Sequence, residues 1–596
     1  MTMLANLLNK FLRQVVPAVA AILAVAACQP NEPDVDVLVI GGGTGGVAAG
    51  IQSARMGART LVAEPTPWLG GMLTAAGVSA TDGNHAMPAG IWGEFRSRLW
   101  KHYGGPDSVA TGWVSHTQFE PHVGAAILDS MAKETDGLTV RHHTAFVTAT
   151  PLTQGWRVTL RQDSQLQVVT CRILIDATDL GDVAAAVGCG FDLGMDSREK
   201  TGEDMAPALA NDIIQDFTWC AVLQDYGPGA DRTIPRPEGY DPTLFRCCCR
   251  PEETDSPEDC AGEEPHPCRT MLDYAKLPGN KYLVNWPIHG NDYYAPLASM
   301  SETEREEAYA AAKRKTLSFV YYIQHELGFR HLGLAESEFP TDDLLPLMPY
   351  HREGRRVHGL VQLTVRDILS QLSPQGARPA WKRPATEPMA PSLHLTGIAV
   401  GDYPIDHHHK ERPDAPVIDF PAVPSFNIPA GCLIPKDADH LLVADKAISV
   451  SNIVNGASRL QPVILQVGQA AGVMAALSVR YGVSPRELPV REIQTAVLSA
   501  GGYLMPYYDV PPEHPAFDAI QRVGASGFMT GTGEPWQWAN RTWFYPDSLL
   551  PADELPPGIP RPEKELTRAE AAWLIDSLLR PFDVPVTFDG TPISME

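Results

Sequence analysis

Positive charge is scarce in this sequence. Its 596 residues carry 47 Lys and Arg against 71 Asp and Glu, a formal net charge of −24. A long nucleic-acid contact needs a basic face, so this composition excludes nucleic acid as a partner. The chain also lacks a C-x-x-C pair, which argues against a dithiol redox relay. A hydrophobic content of 44% is that of an ordinary globular protein, and the length allows several domains.

The first residues differ from the rest. Lys10 and Arg13 precede the apolar run VVPAVAAILAVAAC, which ends at Cys28 and is short for a membrane span. VAAC resembles the lipobox of bacterial lipoproteins, in which the cysteine is lipidated; a plain secretory signal is the alternative. Residues 1–27 are predicted to be a signal peptide and residues 28–34 a tether. We expect a periplasm-facing lipoprotein of the bacterial cell envelope, in the outer membrane because Gln29 replaces the aspartate of inner-membrane retention.

Cysteines are concentrated in one stretch. Of the ten, five lie close together, at Cys247, Cys248, Cys249, Cys260 and Cys268. In an exported protein this crowding predicts a surface loop held by disulfides, and the odd number leaves at least one free thiol. A metal or iron–sulfur site is the alternative, although no paired C-x-x-C supports it.

The stretch VDVLVIGGGTGGVAAG (residues 35–50) reads as a buried strand, a glycine turn and the start of a helix. It contains G-x-G-x-x-G, and a second strand, ARTLVAE, ends in Glu64. The first glycine makes the turn, the second admits a pyrophosphate and the third allows close helix–strand contact, while the acid accepts ribose hydroxyls. The pattern predicts an α/β, Rossmann-like dinucleotide-binding fold, with cofactor contacts from Gly41, Gly43, Thr44, Gly45, Gly46 and Glu64.

Three separated segments resemble the FAD-dependent oxidoreductase family of the glutathione-reductase-like FAD-binding superfamily. The first is PTPWLGGMLT after Glu64, and the second runs from TVRHHTAFVTAT to LIDATDLGD and alternates like a β-meander that leads into a buried strand. The third is HLLVADKAISV followed by a helix that begins near Gln461. The resemblance covers about residues 34–481. No second G-x-G-x-x-G is present, which argues against an additional NADPH domain.

The resemblance implies FAD as the cofactor and assigns its contacts. Glycines of the first segment pass along the flavin, a backbone near Val147 meets the adenine, and the DAT turn approaches the phosphates. Asp445 faces the ribitol, and the helix N-terminus near Gln461 faces the flavin pyrimidine. Beyond these, the cofactor residues implied are Gly70, Gly71, Met72, Thr74, Ala177, Thr178, Arg459 and Gln469.

The same resemblance organises the chain into a discontinuous FAD-binding domain. Its parts are residues 35–188 and 436–482, and they enclose an inserted α+β substrate or cap region at 189–435. Residues 483–596 are expected to form a small helical accessory subdomain. There, FYPD and TRAE resemble a single S-layer-homology-like unit, with a wall-polymer anchor as the alternative role.

Flavin chemistry on a C–H bond needs a base for the accompanying O–H or N–H proton, and histidine is the simplest choice near neutral pH. GDYPIDHHH offers His408, with Asp406 as an orienting carboxylate and Tyr403 as a donor to the substrate; NWPIHGNDYY offers His289. Arg355 in HREGRR is a candidate for binding a substrate carboxylate. The alternatives are surface or core histidines, an adventitious metal site at the triplet, and salt-bridged arginines. No resident metal is predicted.

Taken together, these features predict an exported, lipid-anchored FAD-dependent oxidoreductase. It would act on a small polar organic substrate by hydride transfer to or from flavin N5. Two alternatives stay open: a flavin-containing enzyme that modifies glycans without net redox change, and a surface glycan-binding lipoprotein in which FAD is structural. The substrate, the electron acceptor or donor (oxygen, a quinone or a soluble carrier) and covalent FAD attachment are not determined by the sequence.

Overall fold

The computed structural model of this protein describes residues 32–251, 260, 265–371, 393–534, 536, 540–560 and 563–593. The predicted signal peptide (1–27), the lipidation site Cys28 and the first part of the tether (28–34) lie outside these residues. The fold and the site described below belong to the compact unit that begins at Val35.

A mostly parallel sheet flanked by helices forms the centre of this unit, as expected for an α/β, Rossmann-like fold. The strand order is β3-β2-β1-β6-β5-β4, and β1 pairs in parallel with both β2 and β6. Both faces of β1 are covered, which explains its unbroken apolar sequence. The elements up to residue 186 are β1 (Val35–Ile40), α1 (Thr44–Arg55), β2 (Thr60–Ala63), α2 (Gly90–Tyr103), α3 (Pro121–Lys133), β3 (Leu138–Arg141), β4 (Thr144–Leu152), β5 (Gly155–Gln162), β6 (Gln165–Asp176) and α4 (Asp182–Ala186).

Strand β6 belongs to two structures at once. Its first half pairs antiparallel with β5, which in turn pairs with β4, so these strands form the meander predicted from their alternation. Its second half pairs in parallel with β1, in a register that joins Val35 to Cys171 and Ile40 to Asp176. The meander therefore delivers Asp176 to the end of the central sheet, beside the glycine loop that follows β1.

The region between residues 189 and 371 combines short strands with helices, the α+β composition expected there. Four of its strands form an antiparallel sheet in the order β10-β11-β9-β13. The long helix begins with a Ser301–Glu304 capping box. The elements are β7 (Phe191–Asp192), α5 (Arg198–Thr201), β8 (Phe217–Thr218), β9 (Ala221–Asp225), α6 (Cys268–Asp273), β10 (Lys276–Leu277), β11 (Lys281–Val284), β12 (Asp292–Tyr293), α7 (Glu302–His325), β13 (Leu332–Leu334), β14 (Arg356–Val357) and α8 (Val365–Gln371).

The last part of the chain returns to the central sheet. Strand β17 pairs in parallel with β6, matching Leu441 with Leu174, so segments far apart in sequence share one sheet. The elements are β15 (Gly397–Gly401), β16 (Phe426–Pro429), β17 (Leu441–Val443), α9 (Asn452–Ser458), α10 (Gln461–Tyr481), α11 (Val490–Ser499), α12 (Phe517–Gly524), β18 (Thr532–Glu534), β19 (Arg541–Trp543), β20 (Leu549–Leu550), β21 (Leu566–Thr567) and α13 (Arg568–Leu579).

Helices α1 and α10 pack closely because both carry glycine at their contact. A Cβ on Gly468 would lie 2.0 Å from the carbonyl oxygen of Gly45, and one on Gly472 would lie 2.5 Å from that of Ala49. Within the described residues, α10 is the one helix long and apolar enough to cross a membrane, and 94% of its apolar window is buried inside the protein. Its apolar sequence is accounted for by this packing.

The C-terminal region differs from the predicted small helical subdomain. It contains strands β18–β21 as well as helices, and Leu504, Val497 and Ile520 belong to the same hydrophobic core as the central sheet. It therefore packs against the central sheet within one unit, as a docked accessory subdomain would. TRAE begins helix α13 as a capping box, with Thr567 accepting from the amide of Glu570. The S-layer-homology-like identity of this region stays a prediction.

The predicted disulfide-held loop is confirmed. Cys247 is bonded to Cys260 and Cys249 to Cys268. Cys248 between them is a free, buried thiol. The crowded cysteines thus cross-link a chain segment rather than bind a metal.

Candidate functional site

The glycine-rich loop between β1 and α1 is tied to two acidic side chains. The amide of Gly42 donates to Glu64 Oε2 (2.7 Å), and the amide of Gly45 donates to Asp445 Oδ2 (2.9 Å). Burial raises the pKa of Glu64 to about 7. Parallel pairing of β1 with its neighbours brings these acids to the same end of the sheet, although about 400 residues separate Gly45 from Asp445.

Two glycines of the motif are needed for different reasons. A Cβ on Gly46 would lie 1.8 Å from the carbonyl oxygen of Gly41, so packing alone requires glycine there. A Cβ on Gly43 would meet Asp445 and Ala177 only at 3.6 and 3.8 Å, which is ordinary contact. Gly43 is the N-cap residue of α1 and, having no side chain, adds no capping hydrogen bond to that helix. The space over the first turn of α1 is therefore kept free, and a helix N-terminus favours anions.

A second segment of chain lies against this loop. The amide of Gly70 donates to the carbonyl of Gly42 (2.8 Å), and the hydroxyl of Thr44 donates to the carbonyl of Gly70 (2.8 Å). Gly71 has φ +51°, and a Cβ there would lie 2.8 Å from Gly43 Cα. Met72 is buried, and the hydroxyl of Thr74 donates to the carbonyl of Leu69.

The turn after β6 completes what we call the glycine cradle, defined as residues 41–46, 70–74 and 177–178. Ala177 donates its amide to the carbonyl of Ile40 (2.9 Å) and faces Gly41. The amide and hydroxyl of Thr178 both donate to Asp176 Oδ1, at 3.0 and 2.6 Å. This turn is therefore held rigidly beside the glycine loop.

The buried ammonium group of Lys446 is bonded to two carboxylates next to the cradle. Lys446 Nζ donates to Asp445 Oδ1 (2.7 Å) and to Asp179 Oδ1 (2.6 Å), and its side chain is 1% exposed. Burial disfavours its charge, but the two carboxylates raise the pKa of Lys446 above its usual value. Asp179 in turn contacts His351 Nδ1 (3.0 Å), which links the cradle to the region before β14.

His408 lies between two carboxylates. Its Nδ1 is 3.0 Å from Asp292 Oδ2, and its Nε2 is 3.1 Å from Asp406 Oδ2. Burial and the charge of Arg352 lower the pKa of His408, but the two carboxylates outweigh them and raise it above its usual value. Because both ring nitrogens donate, the imidazolium form is favoured and no lone pair is left to accept a substrate proton. The prediction that His408 is the base is therefore revised: it is a buried cation.

The remaining cations of this cluster are also paired. Arg459 donates to Asp406 Oδ2 (2.9 Å) and to the hydroxyl of Tyr350. Arg352, which is 2% exposed, donates to Asp292 Oδ1 (3.0 Å) and to the hydroxyl of Thr218. Three cations thus share two carboxylates, Asp292 and Asp406, so the charges alternate but the cations exceed these anions by one.

Asp82 differs from Asp292 and Asp406 in that no cation is bonded to it among the described residues. Its amide donates to Gln461 Oε1 (3.2 Å), at the first turn of α10. Its Oδ1 is buried and has no hydrogen-bond partner among the described residues. Burial, reinforced by the charge of Asp406, raises the pKa of Asp82 to about 7.

Two tyrosines share this neighbourhood. The hydroxyls of Tyr274 and Tyr403 have no hydrogen-bond partner in the described part of the chain, and Tyr403 is 9% exposed. Burial and the charge of Asp82 raise the pKa of both phenols well above the usual value, so they stay protonated. A buried polar atom is normally satisfied, so the unpartnered Oδ1 of Asp82 beside two phenols indicates a ligand-binding site.

Sequence comparison identifies the protein's relatives. A family model described as FAD dependent oxidoreductase matches residues 36–497. The chain belongs to this family. No curated protein matches the sequence.

Solved structures of flavoproteins are similar at low identity. The aromatic hydroxylase CabE from angucycline biosynthesis is 18% identical with a TM-score of 0.23, covering 34% of this chain and 38% of CabE. The flavin-dependent monooxygenase PieE, in complex with FAD and substrate, is 16% identical over 32% of this chain and 36% of its own, with a TM-score of 0.22. p-Nitrophenol 4-monooxygenase PnpA from Pseudomonas putida DLL-E4 is 9% identical over 82% and 87%, with a TM-score of 0.31. The chain thus spans about two fifths of CabE, and these likenesses carry no statement about substrate.

FAD is the cofactor of this oxidoreductase, and the glycine cradle fits it. The open space at Gly43 suits a pyrophosphate at the helix N-terminus, because packing against the neighbouring residues does not itself require glycine at this position. With FAD bound, Glu64 would hold the ribose and Asp445 the ribitol, and the backbone of Gly71 lies against Gly43. Bound there, FAD supplies the capacity to accept or release a hydride.

Several residues assigned to the cofactor of the oxidoreductase have other partners. Gln461 bonds to the backbone of residues 80 and 82, and Arg459 bonds to Asp406, so both help to build the cluster around Asp82. Gln469 accepts from the amide of Ile91 (2.9 Å) and donates to the carbonyl of Ala500 (2.8 Å). Its two polar atoms thus join the start of helix α2 to the end of helix α11, which corrects its assignment to the cofactor.

Val147 lies at a bulge in the edge strand β4, where the register with β5 shifts, and its side chain is 42% exposed. A bulge leaves backbone groups outside the ladder, which is the property that the adenine assignment requires. The role of Val147 stays a prediction.

Two catalytic assignments are corrected by the surroundings of the side chains. His289 is exposed, with φ +48°, on a turn closed by Asn291. Arg355 donates to Asp182 Oδ1 (2.7 Å) and to the carbonyl of Leu180 (2.9 Å). His289 is thus a turn residue, and Arg355 is a salt-bridged structural residue rather than a substrate anchor.

Asp82, Tyr274 and Lys446 were missed from the sequence. Asp82 and Gly83 form an Asp-Gly turn soon after the LGG-x-x-T segment, and that position was the available signal. Tyr274 and Lys446 carry no motif, and only the fold brings them to the site.

Proposed function

We propose that this protein oxidises a small polar organic molecule, or reduces one in the reverse direction, by hydride transfer to or from flavin N5. The observation that carries the proposal is the buried Oδ1 of Asp82, which has no hydrogen-bond partner in the described residues, together with the phenols of Tyr274 and Tyr403 near it. Asp82 is connected to the first turn of α10 through Gln461, and the family resemblance directs that turn toward the flavin. A substrate bound by these groups would lie beside the reactive part of the cofactor.

The groups left open at the site suit a substrate without a carboxylate. Arg352, Arg459 and His408 each already have a carboxylate partner, Asp292 or Asp406. A substrate carboxylate would therefore have to compete with the protein's own carboxylates for these cations. Tyrosine hydroxyls and one carboxyl suit a neutral CH–OH or CH–NH group, which can both donate and accept hydrogen bonds.

We also propose that the enzyme works at the bacterial envelope, held by a lipid on Cys28. Support comes from the lipobox-like VAAC and from the disulfides Cys247–Cys260 and Cys249–Cys268. Such bonds persist in oxidising compartments and are rare in the cytosol.

An anaerobic spectral screen tests the redox proposal. Purified holoprotein is mixed with neutral sugars and polyols, and in parallel with carboxylate and amine derivatives of the same compounds. We expect a neutral alcohol or amine to bleach the oxidised flavin absorbance. Bleaching by carboxylates alone would contradict the substrate class, and an unchanged spectrum with every compound would contradict the redox function.

A further inference from the structure

The turn that carries Asp82 is fixed from two sides. Asp82 donates its amide to Gln461 at the start of α10, and Asn84 donates its amide to Asp402 Oδ1. The side chain of Asn84 also donates to the carbonyl of Val400 (2.8 Å), in β15. The carboxyl of Asp82 is therefore held in place by backbone contacts that leave its own oxygens available.

The surroundings of Asp82 contain charges but no ion partner for it. Arg459 is bonded to Asp406, and His408 is bonded to Asp406 and Asp292. Asp82 Oδ1 is buried without a hydrogen bond in the described residues. Such a carboxyl can gain or lose a proton without breaking a hydrogen bond or an ion pair inside the protein.

Burial and the neighbouring charges together set the pKa of this carboxyl near neutral pH. Burial is the main cause of the raised pKa of Asp82, and the negative charge of Asp406 adds to it. The cations Arg459, His408 and Arg352 act in the opposite direction. The resulting value of about 7 lies where a general base works well at physiological pH.

We propose that Asp82 is the catalytic base, and that Tyr274 and Tyr403 bind the oxygen or nitrogen of the substrate. The inference rests on the proposed redox function. Asp82 takes the proton of the substrate O–H or N–H, and the hydrogen on the adjacent carbon leaves with two electrons as hydride to the flavin. The substrate thereby becomes a C=O or C=N compound, the flavin is reduced by two electrons, and the proton stays on Asp82.

A protonation measurement tests the proposal without any substrate. Infrared pH titration of the holoprotein follows the band of the protonated carboxyl in wild type and in Asp82→Asn. Several carboxyls, among them Glu64 and Asp216, should titrate near pH 7 in the wild type, and Asp82→Asn should lose the amplitude of one carboxyl in this range. Identical titrations of the two proteins above pH 5 would overturn the proposal.

Single-turnover flavin reduction tests the chemistry, with the compound that bleaches wild type fastest in the anaerobic screen as the probe. The wild-type rate constant should rise as pH increases through about 7, because the base must be ionised. Asp82→Asn should retain FAD, reduce it about 10²–10⁴-fold more slowly and lose this pH dependence. Asp82→Glu, which keeps the carboxyl, should restore part of the rate.

Asp216→Asn is the matched control. Burial raises the pKa of Asp216 to about 7 as well, and its Oδ1 also lacks a hydrogen bond in the described residues, but its Oδ2 accepts the amide of Glu411 (3.1 Å). Its replacement should leave the reduction rate within about tenfold of wild type. Equal losses in Asp82→Asn and Asp216→Asn, or a wild-type rate in Asp82→Asn, would overturn the assignment. If no compound reduces the flavin, the redox proposal fails, whereas the infrared titration still decides the state of Asp82.

Discussion

Replacement of Gly43 separates cofactor binding from folding. Gly43 has an ordinary φ of −61°, and a Cβ there meets its nearest neighbours at 3.6 and 3.8 Å. Gly43→Ala and Gly43→Val should therefore fold. Their side chains would instead fill the space over the first turn of α1, where the pyrophosphate of FAD is expected.

The magnitudes follow from these contacts. Alanine is a poorer N-cap than glycine by about 1 kcal/mol or less, and the lower entropy of the unfolded chain returns about 0.4–1 kcal/mol. The free energy of unfolding of the FAD-free protein should therefore change little. A methyl group forced against the bound pyrophosphate costs about 1–3 kcal/mol, or about 5- to 150-fold in the Kd for FAD. Valine should abolish binding.

The assay is titration of FAD-free protein with FAD, followed by flavin fluorescence, alongside thermal unfolding by circular dichroism. Gly46→Ala is the control, because its Cβ would lie 1.8 Å from the Gly41 carbonyl oxygen and should prevent folding. Wild-type FAD affinity in a folded Gly43→Val protein would refute the placement of the phosphates. Loss of folding in Gly43→Ala would refute the claim that the space there is free.

Three further outcomes are expected. Lys446→Met leaves two buried carboxylates without their cation and should lower the free energy of unfolding by about 3–5 kcal/mol in denaturant titration, whereas Lys133→Met at an exposed pair should not. FAD affinity should rise as pH increases through about 7, since burial raises the pKa of Glu64 and the ribose hydroxyls need its carboxylate; Glu64→Gln should bind more weakly without this dependence. Cys28→Ala should move the protein from the detergent phase to the aqueous phase or stop its processing, and a wild type already aqueous would contradict lipidation.

The cradle could be predicted because its signals are local. The spacing of Gly41, Gly43 and Gly46 is fixed by the geometry of one turn and one helix start, so it survives in any sequence with this fold. Glu64 and Asp445 end strands of the parallel sheet, and parallel strands bring their carboxyl ends to one edge. The hydrogen bond from the amide of Gly42 to the carboxylate of Glu64 follows from the same arrangement of strands.

The assignments of Arg355 and His408 are revised because they depended on partners distant in sequence. Arg355 looked available in HREGRR, but Asp182, which pairs with it, lies 173 residues away. His408 looked like a base beside Asp406, yet its second nitrogen faces Asp292, which is 116 residues away. A sequence reveals the residue type and not the pairing, and pairing decides whether a charged group is free to react.

Ion pairing also explains why, in this cluster, an aspartate rather than a histidine has a pKa suited to proton transfer. A histidine is suited to proton transfer because its ordinary pKa is close to neutral, but two carboxylates hold His408 as a cation. An aspartate is ordinarily ionised far below neutral pH, but burial without a partner brings Asp82 to about 7. The positive charge of His408 then stabilises Asp406, which lies close enough to raise the pKa of Asp82. The histidine thus contributes to the chemistry as a fixed charge, and the aspartate carries the proton.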